Sequence, residues 1–176
     1  MRLFISVNFS LEVENQLENI INSLKGAVLK GRFTRRENLH ITLVFIGETK
    51  TSTDVIEALE RLKEKSFSLC LSDLGCFKSR GGLICWLGVE KTRELFSVYN
   101  ILREELKLRG VKLENREYVP HITLGRDVVF KEGCNIDIIS KSFKPIITKV
   151  EKVSLMKSEN VNGKLKYTEI YSKSLT

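Results

Sequence analysis

The tetrapeptide His-Ile-Thr-Leu occurs twice in this chain of 176 residues, first at residues 40–43 and again at residues 121–124. The chain contains two histidines in all, His40 and His121, and both belong to this motif. If the two histidines were unrelated, their next three residues would match on the order of once in a few thousand cases, given ordinary residue usage. The chain therefore needs an imidazole and a hydroxyl two residues apart, and it needs that pair in two places.

Both copies of the motif lie in runs of β-branched and apolar residues, which are typical of β-strands. Successive side chains of a strand point to opposite faces, so His40 shares a face with Thr42, and His121 shares a face with Thr123. The apolar residues between them point the other way and can anchor a core. A single histidine on a strand most often has a structural role, but duplication of the whole motif favours a functional one.

Composition and charge restrict the class of protein and of partner. The chain is 42% hydrophobic and 29% charged, which is typical of a globular protein, and it has no apolar run of the ~18 residues that a membrane span needs. We therefore predict no membrane association. The net charge of +7 favours an anionic partner, of which nucleic acid is the common example. Candidates to follow an RNA backbone are the loop cations Arg32, Arg35, Arg36, Lys78 and Arg80.

The four cysteines show neither C-x-x-C spacing nor a nearby histidine at zinc-ligand spacing. They are typical of reduced, buried thiols, and they predict a cytoplasmic protein. A cysteine nucleophile that uses one of the histidines as its base is not favoured by any pattern in the sequence.

The remaining patterns predict the element order strand, helix, strand, helix, two strands, helix, strand, two strands. Ser10 is a predicted helix N-cap, with glutamates in the first turn that follows it. Residues 127–145 have weak periodicity and are predicted to be irregular. Residues 146–156 and 164–172 are predicted to form a closing β-hairpin.

The two motifs stand 81 residues apart, each beside a helix-and-strand unit. This arrangement predicts two similar lobes that each contribute one motif to a shared central cleft. No low-complexity linker divides the chain, so we expect residues 1–176 to form a single two-lobed domain.

Two imidazoles across a cleft suit paired general acid and base catalysis, because histidine titrates near neutrality. The hydroxyls of Thr42 and Thr123 can donate to the charged oxygens of a phosphodiester held between them. The sequence contains no G-x-S-x-G elbow, P-loop or G-x-G-x-x-G motif. Two histidines without neighbouring carboxylates are also too few for a typical catalytic zinc, so we predict neither a metal nor a cofactor.

Three further side chains have open roles at this stage. Arg126 follows Thr123 by three residues and would point to the opposite strand face, unless a bend at Gly125 redirects it to bind the phosphate. By the same alternation, Phe45 is predicted to lie in the core. Trp86 could stack on a base, but packing inside the fold is the more common role of a tryptophan.

The residues around the motifs resemble the two-histidine phosphoesterase superfamily, and within it the bacterial and archaeal RNA 2′,3′-cyclic phosphodiesterases, also called 2′-5′ RNA ligases. The resemblance covers essentially the whole chain, and the double motif is its most specific part. The matching stretches are N-L-H-I-T-L-V-F-I-G-E at 38–48, G-C-F-K at 75–78, C-W-L-G-V at 85–89, P-H-I-T-L-G-R at 120–126, and L-M-K-S-E with Y-T within 155–168.

The resemblance implies a bilobal α+β fold with pseudo-two-fold symmetry, in which two antiparallel sheets flank a central cleft and the helices lie outside. It implies metal-independent hydrolysis of an RNA 2′,3′-cyclic phosphate to a 2′-phosphate. In this family His40 would be the acid that protonates the departing 3′ oxygen, and His121 the base that activates water. The reverse reaction would join a cyclic end to a 5′-hydroxyl, since microscopic reversibility uses the same groups.

The expected partner is RNA with a 2′,3′-cyclic phosphate terminus, with tRNA fragments among the candidates, acted on by a monomer. Two alternatives stay open on the sequence. One is the same chemistry on a small nucleotide or ADP-ribose cyclic phosphate, and the other is a non-catalytic module that binds nucleotides or RNA. The intact histidine and threonine pairs argue against the second alternative.

Overall fold

The computed structural model describes residues 1–176 and contains nine strands and four helices. The strands are β1 (Arg2–Asn8), β2 (Val28–Phe33), β3 (His40–Glu48), β4 (Phe67–Ser79), β5 (Gly82–Val89), β6 (His121–Phe130), β7 (Ile146–Val150), β8 (Lys152–Val161) and β9 (Lys164–Ser174). The helices are α1 (Leu11–Ala27), α2 (Thr53–Glu60), α3 (Arg93–Leu108) and α4 (Ile136–Ser140), and a 3₁₀ turn spans Arg36–Asn38.

The strands form two sheets, as the family resemblance implies. One has the order β3-β1-β8-β9 and the other the order β2-β6-β5-β4-β7, and their pairings are antiparallel. The two motif strands β3 and β6 belong to different sheets and approach each other at the centre of the molecule. The α+β fold with two lobes around a central cleft is therefore confirmed.

Local sequence signals set the starts of the two long helices. The hydroxyl of Ser10 accepts a hydrogen bond from the Val13 amide at 3.4 Å, and the Thr92 hydroxyl accepts one from the Leu95 amide at 3.2 Å. Each hydroxyl satisfies a donor that has no partner inside its helix. Glu12 and Glu94 in the first turns also favour these starts, since a helix N-terminus carries partial positive charge.

The apolar residues of both motifs anchor the core, as predicted. Ile41, Leu43, Ile122 and Leu124 are each at most 3% exposed and belong to one hydrophobic cluster. The buried residues of α1, α2 and α3 join the same cluster. The helices therefore cover the outer faces of the sheets, and the histidine faces are left toward the cleft. None of the helices has both the length and the apolar character required to cross a membrane.

The prediction that residues 127–145 are irregular is wrong in part. Strand β6 continues to Phe130, because the side chain of Val128 is buried and packs in the core. Helix α4 then forms over five residues, and the Asn135 side chain caps it by accepting from the Ile138 amide. A helix this short has too few residues to show a periodic pattern.

The predicted closing hairpin needs a similar correction. Residues 146–156 are not one strand: β7 ends at Val150 and pairs with β4, while β8 starts at Lys152 and pairs with β1 and β9. The chain changes from one sheet to the other at Glu151, whose carbonyl accepts from the Leu175 amide. Local alternation cannot reveal this change, because both halves alternate like strands.

The cysteines are all free thiols, but only Cys85 is buried, so the prediction of buried thiols holds for that one alone. Cys76 and Cys85 face each other across β4 and β5, with 3.1 Å between their sulfur atoms. The hydrogen bond from Cys85 lowers the pKa of Cys76, and the same bond with burial raises the pKa of Cys85.

Candidate active site

The imidazole of His40 is held at both nitrogens. Its Nδ1 lies 2.8 Å from the carbonyl oxygen of Asn38, which can only accept, so Nδ1 carries a hydrogen. In the neutral ring Nε2 is therefore unprotonated, and it lies 3.0 Å from the Thr42 hydroxyl. The predicted sharing of one strand face by this histidine and threonine is confirmed.

His121 is held at Nδ1 alone. Its Nδ1 donates to the carbonyl oxygen of Val119 at 2.7 Å, again two residues earlier in the chain. Pro120 favours extended backbone at Val119, which helps to place that carbonyl. In both copies Nδ1 is bonded to a backbone carbonyl, so Nε2 is the ring nitrogen left to face the cleft.

Each motif contains a β-bulge at its last residue. In β3, Ser6 pairs with Thr42 and Ile5 pairs with Val44, which leaves Leu43 as an extra residue. In β6, Trp86 pairs with Thr123 and Cys85 pairs with Gly125, which leaves Leu124 as the extra residue. One extra residue reverses the alternation of every side chain after it.

The two bulges turn Phe45 and Arg126 toward the cleft, each five residues after its histidine. The prediction that Phe45 lies in the core is therefore wrong, because Val44 takes the core position in its place. The bend that would redirect Arg126 is present, so its guanidinium lines the cleft beside both motifs. Its role in binding the phosphate remains a prediction.

Each histidine ring has two aromatic neighbours from its own sheet. His40 lies 4.8 Å from Phe4 and 5.3 Å from Tyr167 between ring centroids. His121 lies 5.4 Å from Phe77 and 6.4 Å from Trp86, which is half-buried and not deep in the core. These contacts limit how far either imidazole can turn, and strand alternation alone does not identify them.

The pKa values of both histidines lie below the ordinary value. Burial is the main cause for each ring, and the positive charge of Arg126 adds to it. The charge of His121 lowers the pKa of His40 further, and that of Arg116 lowers the pKa of His121. The hydrogen bonds from Nδ1 to backbone carbonyls oppose these effects. Both rings are thus poised to be neutral before an anionic substrate binds.

The cleft has two branches. The residues that line both are Thr42, Phe45, Glu114, Arg116, His121, Thr123 and Arg126. We call the larger, of about 620 Å³, the basic branch; it is lined by His40 and by Arg2, Phe4, Arg32, Phe33, Arg35 and Tyr167. We call the smaller, of about 350 Å³, the aromatic branch; it is lined by Phe77, Ile84, Tyr99, Arg103, Leu113 and Tyr118. His40 lines the basic branch and not the aromatic one.

The basic residues predicted to follow RNA divide into two groups. Arg32 and Arg35 line the basic branch, where Arg32 pairs with Asp127 and Arg35 donates to the Leu165 carbonyl. Arg36, Lys78 and Arg80 line neither branch, and Arg36 pairs with carboxylates of α1. No group of three or more His, Cys, Asp or Glu side chains is arranged to hold a metal ion.

Sequence reasoning missed Asn38, Phe4, Tyr167 and Phe77 as neighbours of the histidines. The carbonyl of Asn38 orients His40, and its side chain is fixed by a hydrogen bond from Nδ2 to the Leu165 carbonyl at 3.0 Å. Phe45 could have been found by aligning the two motifs, since it occupies the position that Arg126 has in the second copy.

Two antiparallel sheets that each present a His-x-Thr strand to one cleft define a two-lobed phosphoesterase of the paired-histidine class. Residues 12–162 match the model of the 2′-5′ RNA ligase superfamily. The RNA 2′,3′-cyclic phosphodiesterase of Thermotoga maritima is 33% identical over 164 residues, which cover 90% of this chain and 87% of that protein. The chain belongs to the 2′-5′ RNA ligase superfamily.

Solved structures are similar over nearly the whole chain. LigT of Escherichia coli in its apo form matches with a TM-score of 0.80 at 27% identity, covering 99% of this chain and 97% of that one. LigT complexed with 3′-AMP matches with a TM-score of 0.79 at 27% identity and with the same coverage. The bilobal fold predicted from the sequence is therefore the fold of solved relatives.

Proposed function

We propose that this protein hydrolyses RNA 2′,3′-cyclic phosphate ends to 2′-phosphates without a metal ion. The observation that carries this proposal is the pair of His-x-Thr strands, which direct two imidazoles and two hydroxyls into one cleft. The name of the Thermotoga maritima relative, RNA 2′,3′-cyclic phosphodiesterase, supports this substrate class.

In this proposal His121 removes a proton from water as the water attacks phosphorus, and His40 gives a proton to the departing 3′ oxygen. Both transfers use Nε2, since Nδ1 of each ring is bonded to a backbone carbonyl. Binding of the anionic phosphate raises the pKa of His40 and favours the protonated acid. Each member of such a pair contributes roughly 10²–10⁴-fold to the rate.

The hydroxyls of Thr42 and Thr123 and the guanidinium of Arg126 would bind the non-bridging oxygens of the phosphate. In the free protein the Thr42 hydroxyl is bonded to Nε2 of His40, so substrate would replace this contact. Charge-assisted bonds of this kind strengthen as charge develops on the oxygens in the transition state.

The basic branch favours RNA over a small cyclic phosphate as the substrate. Five arginines line it, together with one glutamate, and a single cyclic nucleotide would not need so many cations. RNA fragments with cyclic ends, including tRNA fragments, are the proposed partners. A monomer, a cytoplasmic location and a single domain over residues 1–176 remain predictions.

The test is incubation of the protein with a short RNA that ends in a 2′,3′-cyclic phosphate, followed by identification of the product. We expect a 2′-phosphate, unchanged rates in excess chelator, and losses of kcat/KM of roughly 10²–10⁴-fold in His40→Ala and in His121→Ala. Both variants should unfold at the wild-type temperature, because the cleft-facing imidazoles do not fill the core.

Several results would refute this assignment. Near-wild-type turnover in either folded variant would show that the substituted histidine takes no part in the reaction. Loss of activity in chelator, restored by a divalent ion, would show that the reaction needs a metal ion. Hydrolysis of a small nucleotide or ADP-ribose cyclic phosphate but not of the RNA would favour the smaller substrate class.

A further inference from the structure

We propose that the aromatic branch binds the terminal nucleoside of a second RNA, one that carries a free 5′-hydroxyl and accepts the cyclic phosphate. This inference rests on the proposed function, because it uses the same phosphate and the same two histidines. It assigns a role to a cavity that hydrolysis by water leaves unused.

The position of the histidines decides which branch holds which RNA. In-line displacement places the attacking and leaving oxygens on opposite sides of phosphorus. The leaving 3′ oxygen receives its proton from His40, so the nucleoside that bears the cyclic phosphate lies in the basic branch, which alone contains that histidine. The attacking oxygen lies beside His121, which lines both branches and is the one histidine of the aromatic branch.

The charges of the two branches support the same assignment. An RNA with a cyclic phosphate at its 3′ end extends away from the site through a series of phosphates. The basic branch has five arginines and one glutamate, whereas the aromatic branch has three arginines and two glutamates. The upstream RNA therefore fits the basic branch, and a terminal nucleoside without a 5′-phosphate fits the aromatic one.

The surface of the aromatic branch suits a nucleobase. Phe77 is 37% exposed although large apolar side chains are usually covered. Tyr118 stacks on Tyr99 with 4.1 Å between ring centroids and donates from its hydroxyl to the Thr42 carbonyl, so this wall is rigid. The volume of about 350 Å³ falls within the roughly 300–1,000 Å³ of small-molecule sites.

Arg103 gives the branch a contact for the next phosphate of the acceptor. Its guanidinium lies 5.5 Å from the centroid of Tyr99 and donates one hydrogen bond, to the Glu114 carbonyl. A guanidinium has five N–H groups, so others are left for a phosphate oxygen.

The chemistry balances without any further reagent. The bond between phosphorus and the acceptor's 5′ oxygen forms as the bond to the 3′ oxygen breaks. His121 takes the proton of the 5′-hydroxyl, and His40 gives a proton to the 3′ oxygen. The product has a 2′-5′ linkage and a free 3′-hydroxyl, and solvent restores the two histidines to their starting protonation states.

The experiment measures the ratio of ligated to hydrolysed product from one cyclic-ended RNA with a short 5′-hydroxyl acceptor. Both reactions use the same histidines and the same cyclic-ended RNA. A substitution that slows both reactions equally therefore leaves the ratio unchanged. We expect Phe77→Ala to lower the ratio roughly 5–100-fold, the effect of losing one base stacking contact. Phe77→Tyr should keep the ratio, because it keeps the ring.

Phe33→Ala is the matched control, since Phe33 is an aromatic residue of the basic branch. It should slow both reactions and leave the ratio unchanged. With an acceptor that lacks its 5′-terminal base, the wild-type protein should give the same low ratio as Phe77→Ala gives with the complete acceptor. In Phe77→Ala itself, removal of the base should not lower the ratio further.

The inference and the proposed function can fail separately. Absence of ligated product from a wild-type protein that hydrolyses the cyclic end, at the highest acceptor concentration used, would overturn the acceptor site alone. Efficient ligation of an acceptor that lacks its terminal base would also overturn the acceptor site. The same conclusion would follow if Phe33→Ala lowered the ratio of ligated to hydrolysed product and Phe77→Ala did not. Absence of hydrolysis would overturn the proposed function itself.

Discussion

At the scale of residues, the site is built from two copies of one local arrangement. In each copy a histidine donates from Nδ1 to the carbonyl two residues earlier, and a threonine two residues later shares its strand face. A backbone carbonyl and aromatic neighbours hold each ring, and in the first copy the Thr42 hydroxyl also contacts Nε2. Removal of a hydroxyl should therefore affect the phosphate and leave the imidazole in place.

We expect Thr42→Val and Thr123→Val each to lower kcat/KM by roughly 10–10³-fold, or about 1.4–4 kcal/mol. Valine keeps the shape and the β propensity of threonine but cannot donate to a phosphate oxygen. We would measure kcat/KM of each variant with the cyclic-ended RNA and its thermal unfolding temperature. Unchanged kinetics in both variants would exclude the hydroxyls from phosphate binding, and a stability loss that accounts for the lost activity would make them structural.

The pH dependence of kcat/KM follows from the lowered histidine pKa values. In the proposed mechanism the rate falls on the acid side as His121 gains a proton and on the alkaline side as His40 loses one. Burial and the charge of Arg126 lower the pKa of both, so we expect the optimum below the ordinary histidine value of about 6.5. The optimum for kcat should lie at higher pH, because bound phosphate favours protonated imidazole. An optimum of kcat/KM on the alkaline side of the ordinary value would contradict this account.

At the scale of elements, the β-bulges determine which side chains enter the cleft. Without the extra Leu43 and Leu124, strict alternation would place Phe45 and Arg126 in the core.

In the sheet that carries His121, the ring of Trp86 on β5 packs closely against Gly75 on the neighbouring strand β4. A Cβ atom at Gly75 would overlap that ring.

We expect Gly75→Ala to displace Trp86 and to lower the free energy of unfolding by roughly 1–3 kcal/mol, the usual cost of overpacking. Because Trp86 is the chain's one tryptophan, its fluorescence reports the displacement directly. The control is Gly26→Ala in α1, where a Cβ meets no atom within 4 Å and alanine is the better helix former. Equal stability and identical fluorescence in both variants would show that the Trp86 ring is not tightly held against β4.

At the scale of the whole molecule, charge and topology act together. The chain has a net charge of +7, and the fold gathers five arginines along the basic branch. Cations arranged along a cleft attract a polyanion over several nucleotides. The expected consequence is a strong dependence of RNA affinity on salt concentration.

We expect log kcat/KM for a cyclic-ended RNA to fall with log salt more steeply than for a mononucleoside 2′,3′-cyclic phosphate. The slopes should differ by about 0.7 for every additional phosphate that the basic branch neutralises. Both substrates contact the same histidines, so the mononucleoside serves as the internal control. Equal slopes would mean that the basic branch does not contact upstream phosphates, and the small-substrate alternative would then be favoured.

The sequence by itself determined the two motif strands, the faces of their histidines, threonines and core residues, and the Ser10 helix cap. These features depend on alternation, capping and residue type, which act within a few neighbouring residues. The tertiary structure decided the rest. The bulges that expose Phe45 and Arg126 need a partner strand to define the extra residue, and the change of sheet at Glu151 needs two separate sheets. The two branches of the cleft combine side chains distant in sequence, so their charges and their access to each histidine exist only in the folded chain.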